Sequence, residues 1–378
     1  MLPRQLPVVT APRAGRADRP VGLVVALLLA ACSGGAAVPE RTVSDRMPQL
    51  VEVPLPPGQH SVGGAGSPLA VGADGAVLIL PVDVDGPSFH LVGAPDSVVR
   101  TYGALGEGPG EMRMPIPLLV NDTSVLGYDL ATQRIMIFDR RTTDIVREIR
   151  PQMPVQPYMR GPGATLLALH LDRGVEVPAL VDPGTGRVRL VVEPSDSYRI
   201  EMFADDGRYP GGLANVAAMG RWGDGVVMAN GMTYRLGLYD RRGRLQHRID
   251  RNIAPRLLTR REIEEQLTQL ATSPMGRTPA RLARARQRLE ATPTRWFTQL
   301  GPPRSDGHDR LWVVVEHGDS TSADVFAGDQ LLGRVRLDCP GYSGRWDLLG
   351  EWLVLLCVPT DPDAMHDVEV RRWRIVEP

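Results

Sequence analysis

The sequence contains no lysine, so all 43 of its basic residues are arginine, and 44 acidic residues balance them. With a formal net charge of −1, the chain has no overall field that would recruit nucleic acid, and no such partner is expected. The lack of lysine also excludes a Walker-type phosphate-binding loop, which requires one. Uniform use of arginine is typical of a GC-rich genome and by itself indicates no function.

The amino-terminal region contains only a short apolar run. The run Val21–Ala31 is too short to span a bilayer, but it has the length of a signal-peptide core. A positively charged leader precedes it, formed by Arg4, Arg13, Arg16 and Arg19. These features predict a signal peptide over residues 1–31, and therefore export.

Cysteine is scarce too, and the first of the three cysteines ends the segment Leu29-Ala30-Ala31-Cys32. This segment resembles the bacterial lipobox, which implies cleavage before Cys32 and diacylation of its thiol. Residues 32–44 are then a flexible tether, and two acyl chains suffice for stable membrane anchoring. The alternative is a plain secretory signal in which Cys32 is incidental.

Export implies an oxidising compartment in the cell envelope. Once Cys32 is lipidated, Cys339 and Cys357 remain, an even count that fits one disulfide; two buried free thiols are the alternative. Ser33 stands where an acidic residue often signals retention in the inner membrane. We therefore expect the outer membrane, with the protein facing the periplasm.

One glycine-rich segment indicates the fold. The stretch Gly103–Met112 leads to Pro115, and an alternating segment then reaches Gln133–Arg140, which contains Arg-Ile-Met-Ile-Phe-Asp. This segment resembles an NHL-type propeller repeat and is similar to those of six-bladed propeller lipoproteins of bacteria. The resemblance covers only about residues 102–150.

A recurring pattern extends this interpretation to the rest of the chain. Each unit has an apolar strand, a short loop, a second strand ending near an aromatic residue, a turn and a strand rich in arginine and valine. The six units begin with the apolar strands 76–80, 124–128, 165–169, 225–228, 311–315 and 352–356. Their spacing of roughly 40–50 residues is the period of propeller blades, and it disfavours a pair of β-sandwiches.

The fold class predicted for residues 45–378 is therefore all-β, a six-bladed β-propeller. The sixth unit lacks an outer strand, which Gln49–Leu55 could supply to close the ring. Between units four and five, residues from about 256 to 292 predict a helical hairpin, because Thr259–Glu262 forms a capping box and Thr278-Pro279 can start a helix.

The second helix carries a row of arginines on one side. Arg281, Arg284, Arg286 and Arg288 could bind acidic lipid headgroups or an acidic partner. A solvated helix face explains the row as well, and we favour that interpretation.

The topology of a propeller blade assigns each loop to one face of the ring. Links between blades and loops between second and third strands share one face, here called the top face. Cys339 and Cys357 are expected to reach this face, which supports their pairing. The candidate ligand-binding residues assigned to it are Glu107, Glu111, His170, Trp222, His317 and His366.

Each of these candidates has a simpler explanation. The Gly106–Glu111 loop could hold an anion on its amides, but a blade linker that needs positive φ explains its glycines better. His170, His317 and His366 could hold a metal, but they lack local metal-ligand spacing and are far apart in sequence. Neither a metal nor a cofactor is therefore predicted.

The favoured function is a non-enzymatic, lipid-anchored scaffold that binds a protein, a peptide or a small ligand on the top face. The alternative is an exported hydrolase or lyase that works at the channel mouth, with or without a divalent metal. A structural subunit of an envelope complex is a third hypothesis, and it predicts a sizeable apolar patch.

Overall fold

The computed structural model describes residues 47–56, 68–81, 86–96, 98–172, 175–191, 218–230, 234–251, 260–272, 278–291, 301–317, 320–339, 342–357 and 368–378. Within these ranges the strands form six four-stranded antiparallel sheets and one two-stranded parallel ribbon. In the same ranges, none of the helices combines the length and the apolar character needed to cross a membrane.

Blades one to three follow a single first strand. The strands are β1 (Gln49–Glu52); in blade one, β2 (Leu69–Val71), β3 (Val77–Ile79), β4 (Phe89–Val92) and β5 (Arg100–Tyr102); in the ribbon, β6 (Ala104–Leu105) and β7 (Glu111–Met112); in blade two, β8 (Pro115–Val120), β9 (Ser124–Asp129), β10 (Arg134–Asp139) and β11 (Ile145–Ile149); and in blade three, β12 (Gln156–Arg160), β13 (Leu166–Asp172), β14 (Val175–Val181) and β15 (Val188–Leu190).

Blades four to six complete the ring. Their strands are β16 (Ala218–Trp222), β17 (Gly225–Asn230), β18 (Arg235–Tyr239) and β19 (Leu245–Asp250); β20 (Arg304–Ser305), β21 (Arg310–His317), β22 (Ser320–Ala327) and β23 (Gln330–Leu337); and β24 (Tyr342–Leu349), β25 (Trp352–Cys357) and β26 (Glu369–Val376). The six-bladed all-β propeller predicted from the sequence is confirmed.

The ring closes by a strand from the opposite end of the chain. β1 pairs antiparallel with β26, with Gln49 opposite Val376 and Glu52 opposite Trp373, and it is the fourth strand of blade six. The segment 49–55 therefore completes the sixth sheet, as its sequence predicted. Closure removes the open edge that β26 would otherwise present to other chains.

Each hydrophobic core lies between two neighbouring blades. Six buried clusters alternate with the six sheets around the ring. Within β3, Val77 packs toward blade six and Leu78 packs toward blade two, because successive side chains of a strand point to opposite faces. The middle strands of a blade are therefore buried on both sides, which explains their continuous apolar sequences.

The recurring aspartate after the third strand shapes the turn to the fourth strand. Asp139 accepts hydrogen bonds at Oδ1 from the N–H groups of Arg141 (2.9 Å) and Thr142 (2.7 Å). Asp182 accepts one from Gly184 at 2.7 Å, and Asp240 accepts one from Arg242 at 2.8 Å. The aspartate holds the backbone of each turn, which gives the Phe-Asp-Arg segment of blade two a structural role.

A helical insertion separates blades four and five, as predicted. It contains α1 (Arg260–Thr272) and α2 (Pro279–Ala291). The helices contact each other through an ion pair in which Arg286 donates to both oxygens of Glu264, at 2.6 and 2.8 Å. Thr259 of the predicted capping box and the side chain of Arg288 lie outside the described residues.

Candidate functional site

The two glutamates assigned to the top face serve the blade-one linker itself. Glu111 accepts a hydrogen bond at Oε2 from the N–H of Gly108 at 2.7 Å, and its side chain folds back over the loop. Glu107 forms an exposed ion pair with Arg113. Gly103 and Gly110 adopt φ values of 63° and 80°, which favour glycine. The loop uses its glycines and the amides of Gly106, Gly108 and Glu111 for its own turn.

His170 and Trp222 lie on opposite faces of the ring. His170 lies near the end of β13, on the side of the loop to the third strand, and its Nδ1 is 2.8 Å from the carbonyl oxygen of Pro154. Trp222, predicted on the top face, instead ends β16 and pairs with Gly225 across the first turn of blade four. It belongs to the opposite face, here called the turn face, because first strands end where the first-to-second and third-to-fourth turns lie.

The remaining predicted positions are covered only in part. Cys32, His366 and the side chain of His317 lie outside the described residues. A disulfide joins Cys339, which follows β23, to Cys357 at the end of β25, with Cα atoms 5.3 Å apart. Among the described residues, no group of three or more His, Cys, Asp or Glu side chains could hold a metal ion.

A cleft opens on the turn face between blades four and five. It has a volume of about 930 Å³, close to the upper end of small-molecule sites. We call it the blade-four cleft. Its lining residues come from turns of both blades and are Trp222, Gly223, Asp224, Gly225, Asp240, Arg241, Arg242, Arg244, Gln246, Asp309 and Gly328.

Asp240 and Arg244 pair with each other in the blade-four cleft, and the other charged lining residues form no ion pair with the described part of the chain. Arg241 and Arg242 are exposed in the turn between β18 and β19 and form the basic wall. Asp224 and Asp309 are exposed in the first turns of blades four and five and form the acidic wall. In the part of the chain that the structure describes, none of these four residues forms an ion pair within 4.0 Å, so their charges face the cleft without a protein partner.

Hydrogen bonds to Asp240 stabilise the turn that carries the basic wall. Asp240 accepts hydrogen bonds from the N–H groups of Arg242 (2.8 Å) and Arg244 (2.9 Å), and its Oδ2 accepts one from Nε of Arg244 at 2.9 Å. The backbone bond from Arg244, with the other donors, holds the pKa of Asp240 below its usual value. This turn presents Arg241 and Arg242 in a defined direction.

The floor of the cleft requires glycine and carries an aromatic ring. A Cβ on Gly225 would lie 2.0 Å from the carbonyl oxygen of Tyr239, so no larger residue fits there. Gly223, with φ 51°, donates its N–H to Oγ of Ser305 at 2.9 Å and joins the blade-four turn to blade five. The half-buried Trp222 ring packs edge-on against His247, with centroids 5.9 Å apart.

A second charged group lies in the central channel. Arg160, Arg221 and Arg304 come from the first strands of blades three, four and five, and Asp347 comes from that of blade six. We call them the channel cluster. Burial lowers the pKa of Arg160, and the neighbouring Arg221 lowers it further; burial also lowers the pKa of Arg221.

Neither the blade-four cleft nor the channel cluster was identified from the sequence as a site. The sequence predicts Trp222 as a candidate ligand-binding residue, but on the other face. One sequence feature could have indicated two of the channel arginines. Arg160 and Arg221 each stand near the end of a first strand, close to the turn that follows it.

Comparison with known proteins supports the fold. No protein-family model and no curated protein matches the sequence. A member of the DUF4221 family from Bacteroides vulgatus is 10% identical, with a TM-score of 0.50, over 88% of this chain and 99% of that chain.

Two further structures match over a similar length. U3-55K is 10% identical, with a TM-score of 0.48, over 87% of this chain and 100% of that chain. A Bacteroides fragilis protein whose name marks it as exported is 11% identical, with a TM-score of 0.44, over 88% and 96%. Identities this low show the fold alone, so function has to be argued from the residues of this chain.

Proposed function

We propose that this chain is an exported, lipid-anchored propeller that binds a peptide segment carrying charges of both signs in the blade-four cleft. The observation that carries the proposal is that Arg241 and Arg242, from one turn, and Asp224 and Asp309, from two other turns, line one open cleft. A ligand with an acidic and a basic end satisfies both walls at once. A ligand that carries charges of only one sign would be repelled by the wall of the same sign, which weakens its binding.

An extended peptide suits this cleft better than a compact ligand does. The cleft is open to solvent, and its lining includes the Trp222 ring and Gly328. A Cβ on Gly328 would meet nothing within 4 Å, so another backbone can approach closely there. Aromatic rings and arginine are the side chains most enriched at peptide and protein recognition sites. Lipid anchoring through Cys32 and an NHL-like repeat are part of the same proposal and rest on the sequence.

The lining favours binding over catalysis. Among its described residues there is no histidine, cysteine, serine or tyrosine, the side chains that most often act as nucleophile or proton shuttle. Guanidinium groups stay protonated at all relevant pH values, so the basic wall offers charge but no base. The hydrolase or lyase alternative has no observation in this cleft to favour it.

Reversal of one wall is expected to abolish selective binding. Changing Arg241 and Arg242 to Glu, or Asp224 to Arg together with Asp309 to Asn, makes both walls repel one end of the peptide. Asn is chosen because Asp309 has φ 58°, which Asn tolerates. Isothermal titration with a short peptide that is acidic at one end and basic at the other should show an affinity at least about tenfold weaker for each variant.

The combined variant distinguishes charge complementarity from general damage. With both walls reversed, the peptide can bind in the opposite direction, and its affinity should return to within about threefold of the original. Arg141→Glu, an exposed position in the equivalent turn of blade two, is the matched control and should change nothing. A combined variant that binds no better than either single-wall variant would contradict the proposal.

The anchor is tested separately in the full chain. The wild-type protein, expressed in a bacterium with a labelled palmitate, should carry the label and fractionate with membranes, and its mature form should begin at Cys32. Cys32→Ala should lose the label, whereas Ser33→Ala should keep it. An unlabelled wild-type protein in the soluble fraction would mean that Cys32 is incidental to a plain secretory signal.

A further inference from the structure

The channel cluster contains more positive than negative charge. Among the described residues, three guanidinium groups, from Arg160, Arg221 and Arg304, line one cavity with a single carboxylate, that of Asp347. Leu118, Leu119 and Met159 supply apolar lining from blades two and three. The part-buried guanidinium groups of Arg160 and Arg221 are close enough to repel each other, and Arg221 lowers the pKa of Arg160.

The single carboxylate of the channel cluster already has partners. Asp347 lies 3.4 Å from Nε of Arg304, and it accepts hydrogen bonds from the N–H groups of Val71 (2.8 Å) and Leu348 (2.9 Å). Arg304 also donates to the carbonyl oxygen of Trp346 and lies over its ring, 4.8 Å from the centroid. Asp347 therefore pairs with Arg304, and neither Arg160 nor Arg221 forms an ion pair within 4.0 Å with a described carboxylate. Carboxylates act on them only at longer range: Asp347 and Asp122 on Arg160, and Asp347, Asp309 and Asp306 on Arg221.

The two remaining arginines form few direct polar contacts. Nη2 of Arg221 donates to the carbonyl oxygen of Ser305 at 3.0 Å, which contributes no negative charge. The guanidinium of Arg160 forms no hydrogen bond or ion pair with any residue that the structure describes. Set at the end of β12 beside the turn, it is available to a group inside the cavity.

The size of the cavity limits what that group is. The space between these side chains has a volume of about 10 Å³, room for a single water-sized particle. Phosphate, sulfate and carboxylate ligands are too large to enter without displacing the leucines. A monatomic anion is small enough to fit once the arginine side chains move by a few tenths of an ångström.

We propose that the channel cluster binds one halide ion, chloride under ordinary conditions, between Arg160 and Arg221. The ion pairs directly with both guanidinium groups and joins the first strands of blades three and four. This site is independent of the blade-four cleft, and neither proposal depends on the other.

The test compares melting temperatures of the full mature protein in a non-ionic detergent. Sodium chloride and sodium gluconate are used at equal ionic strength, because gluconate is too large for the cavity. We expect the wild-type protein to melt about 2 °C higher in chloride. Arg160→Gln and Arg221→Gln should lose this difference, while Arg336→Gln, an exposed arginine on outer strand β23, should keep it.

A second measurement keeps the proposal testable if a channel variant fails to fold. The ³⁵Cl resonance of a chloride solution should broaden in the presence of the wild-type protein and narrow again when bromide is added, and bromide in crystals should give one anomalous peak between Arg160 and Arg221. Equal melting temperatures in both salts, or no broadening, would show that the cavity holds only water. An effect of chloride that persists in Arg160→Gln and Arg221→Gln would place the ion elsewhere.

Discussion

Asp324→Ala is expected to destabilise the propeller by about 3 kcal/mol, because it leaves two arginines and a buried hydroxyl without their shared partner. Asp324 is completely buried in β22 of blade five. It accepts hydrogen bonds from Oη of Tyr234 at 2.6 Å, from Nε and Nη2 of Arg334 at 2.6 and 3.1 Å, and from Nη1 of Arg251. Tyr234 and Arg251 belong to blade four, so this carboxylate joins two blades.

The position of this network explains the size of the expected effect. Blades four and five are separated in the chain by the helical insertion, so contacts across their interface have to hold them side by side. Burial, and then the Asp324 carboxylate, raise the pKa of Tyr234 well above its ordinary value, so the hydroxyl remains a donor. Arg251 also lies over the Tyr234 ring, 5.2 Å from its centroid.

Urea unfolding monitored by circular dichroism measures the change. Asp329→Ala, in the exposed turn after β22, is the control and should change the free energy of unfolding by less than about 0.5 kcal/mol. Asp324→Asn keeps the shape but removes the charge, so its effect should lie between the two. Equal midpoints for Asp324→Ala and the wild-type protein would show that the network does not stabilise the interface.

The blades could be predicted because their middle strands are buried on both sides. Trp312 packs toward blade six and Val313 toward blade four, and the middle of the strand, residues 311–315, is therefore apolar. Such strands recur at a fixed period, and the period gives the number of blades. Closure by residues 49–55 followed from the missing outer strand of the sixth unit.

The channel cluster and the face of Trp222 could not be predicted, because both depend on locating the first strand of each blade. β20 consists only of Arg304 and Ser305 and is too short to show an alternating pattern. β12 contains Pro157, a residue that argues against a strand inside a sheet. Without these strands the sequence does not show which residues line the channel. It also does not show that Trp222 ends a first strand, which decides its face.

The blade-four cleft depends on chain segments that are distant in sequence. Asp224 and Asp309 line the same cleft because each stands in the first turn of its blade, with the helical insertion between them in the chain. Periodicity identifies the blades, but it does not specify which turn residues of two blades face each other. That information comes only from the assembled ring.

Loss of the disulfide is expected to destabilise the protein by about 3 kcal/mol, since it closes a loop between cysteines 18 positions apart. Cys339 and Cys357 are both buried, and they join the end of blade five to the second strand of blade six. Cys339→Ala with Cys357→Ala should unfold at lower urea concentration than the oxidised wild-type protein. A reducing agent should lower the wild-type midpoint toward that of the double variant and leave the double variant unchanged.

Counting thiols in the unfolded protein connects this bond to the proposed anchor. If Cys32 is lipidated and Cys339 is bonded to Cys357, the mature protein unfolded without reductant contains no free thiol, and reduction releases two. One free thiol before reduction means that Cys32 is unmodified. Two free thiols before reduction mean that the disulfide is absent, and the double variant should then be as stable as the wild-type protein. The same titration therefore tests the anchor and the disulfide independently, because each changes the count by a different number.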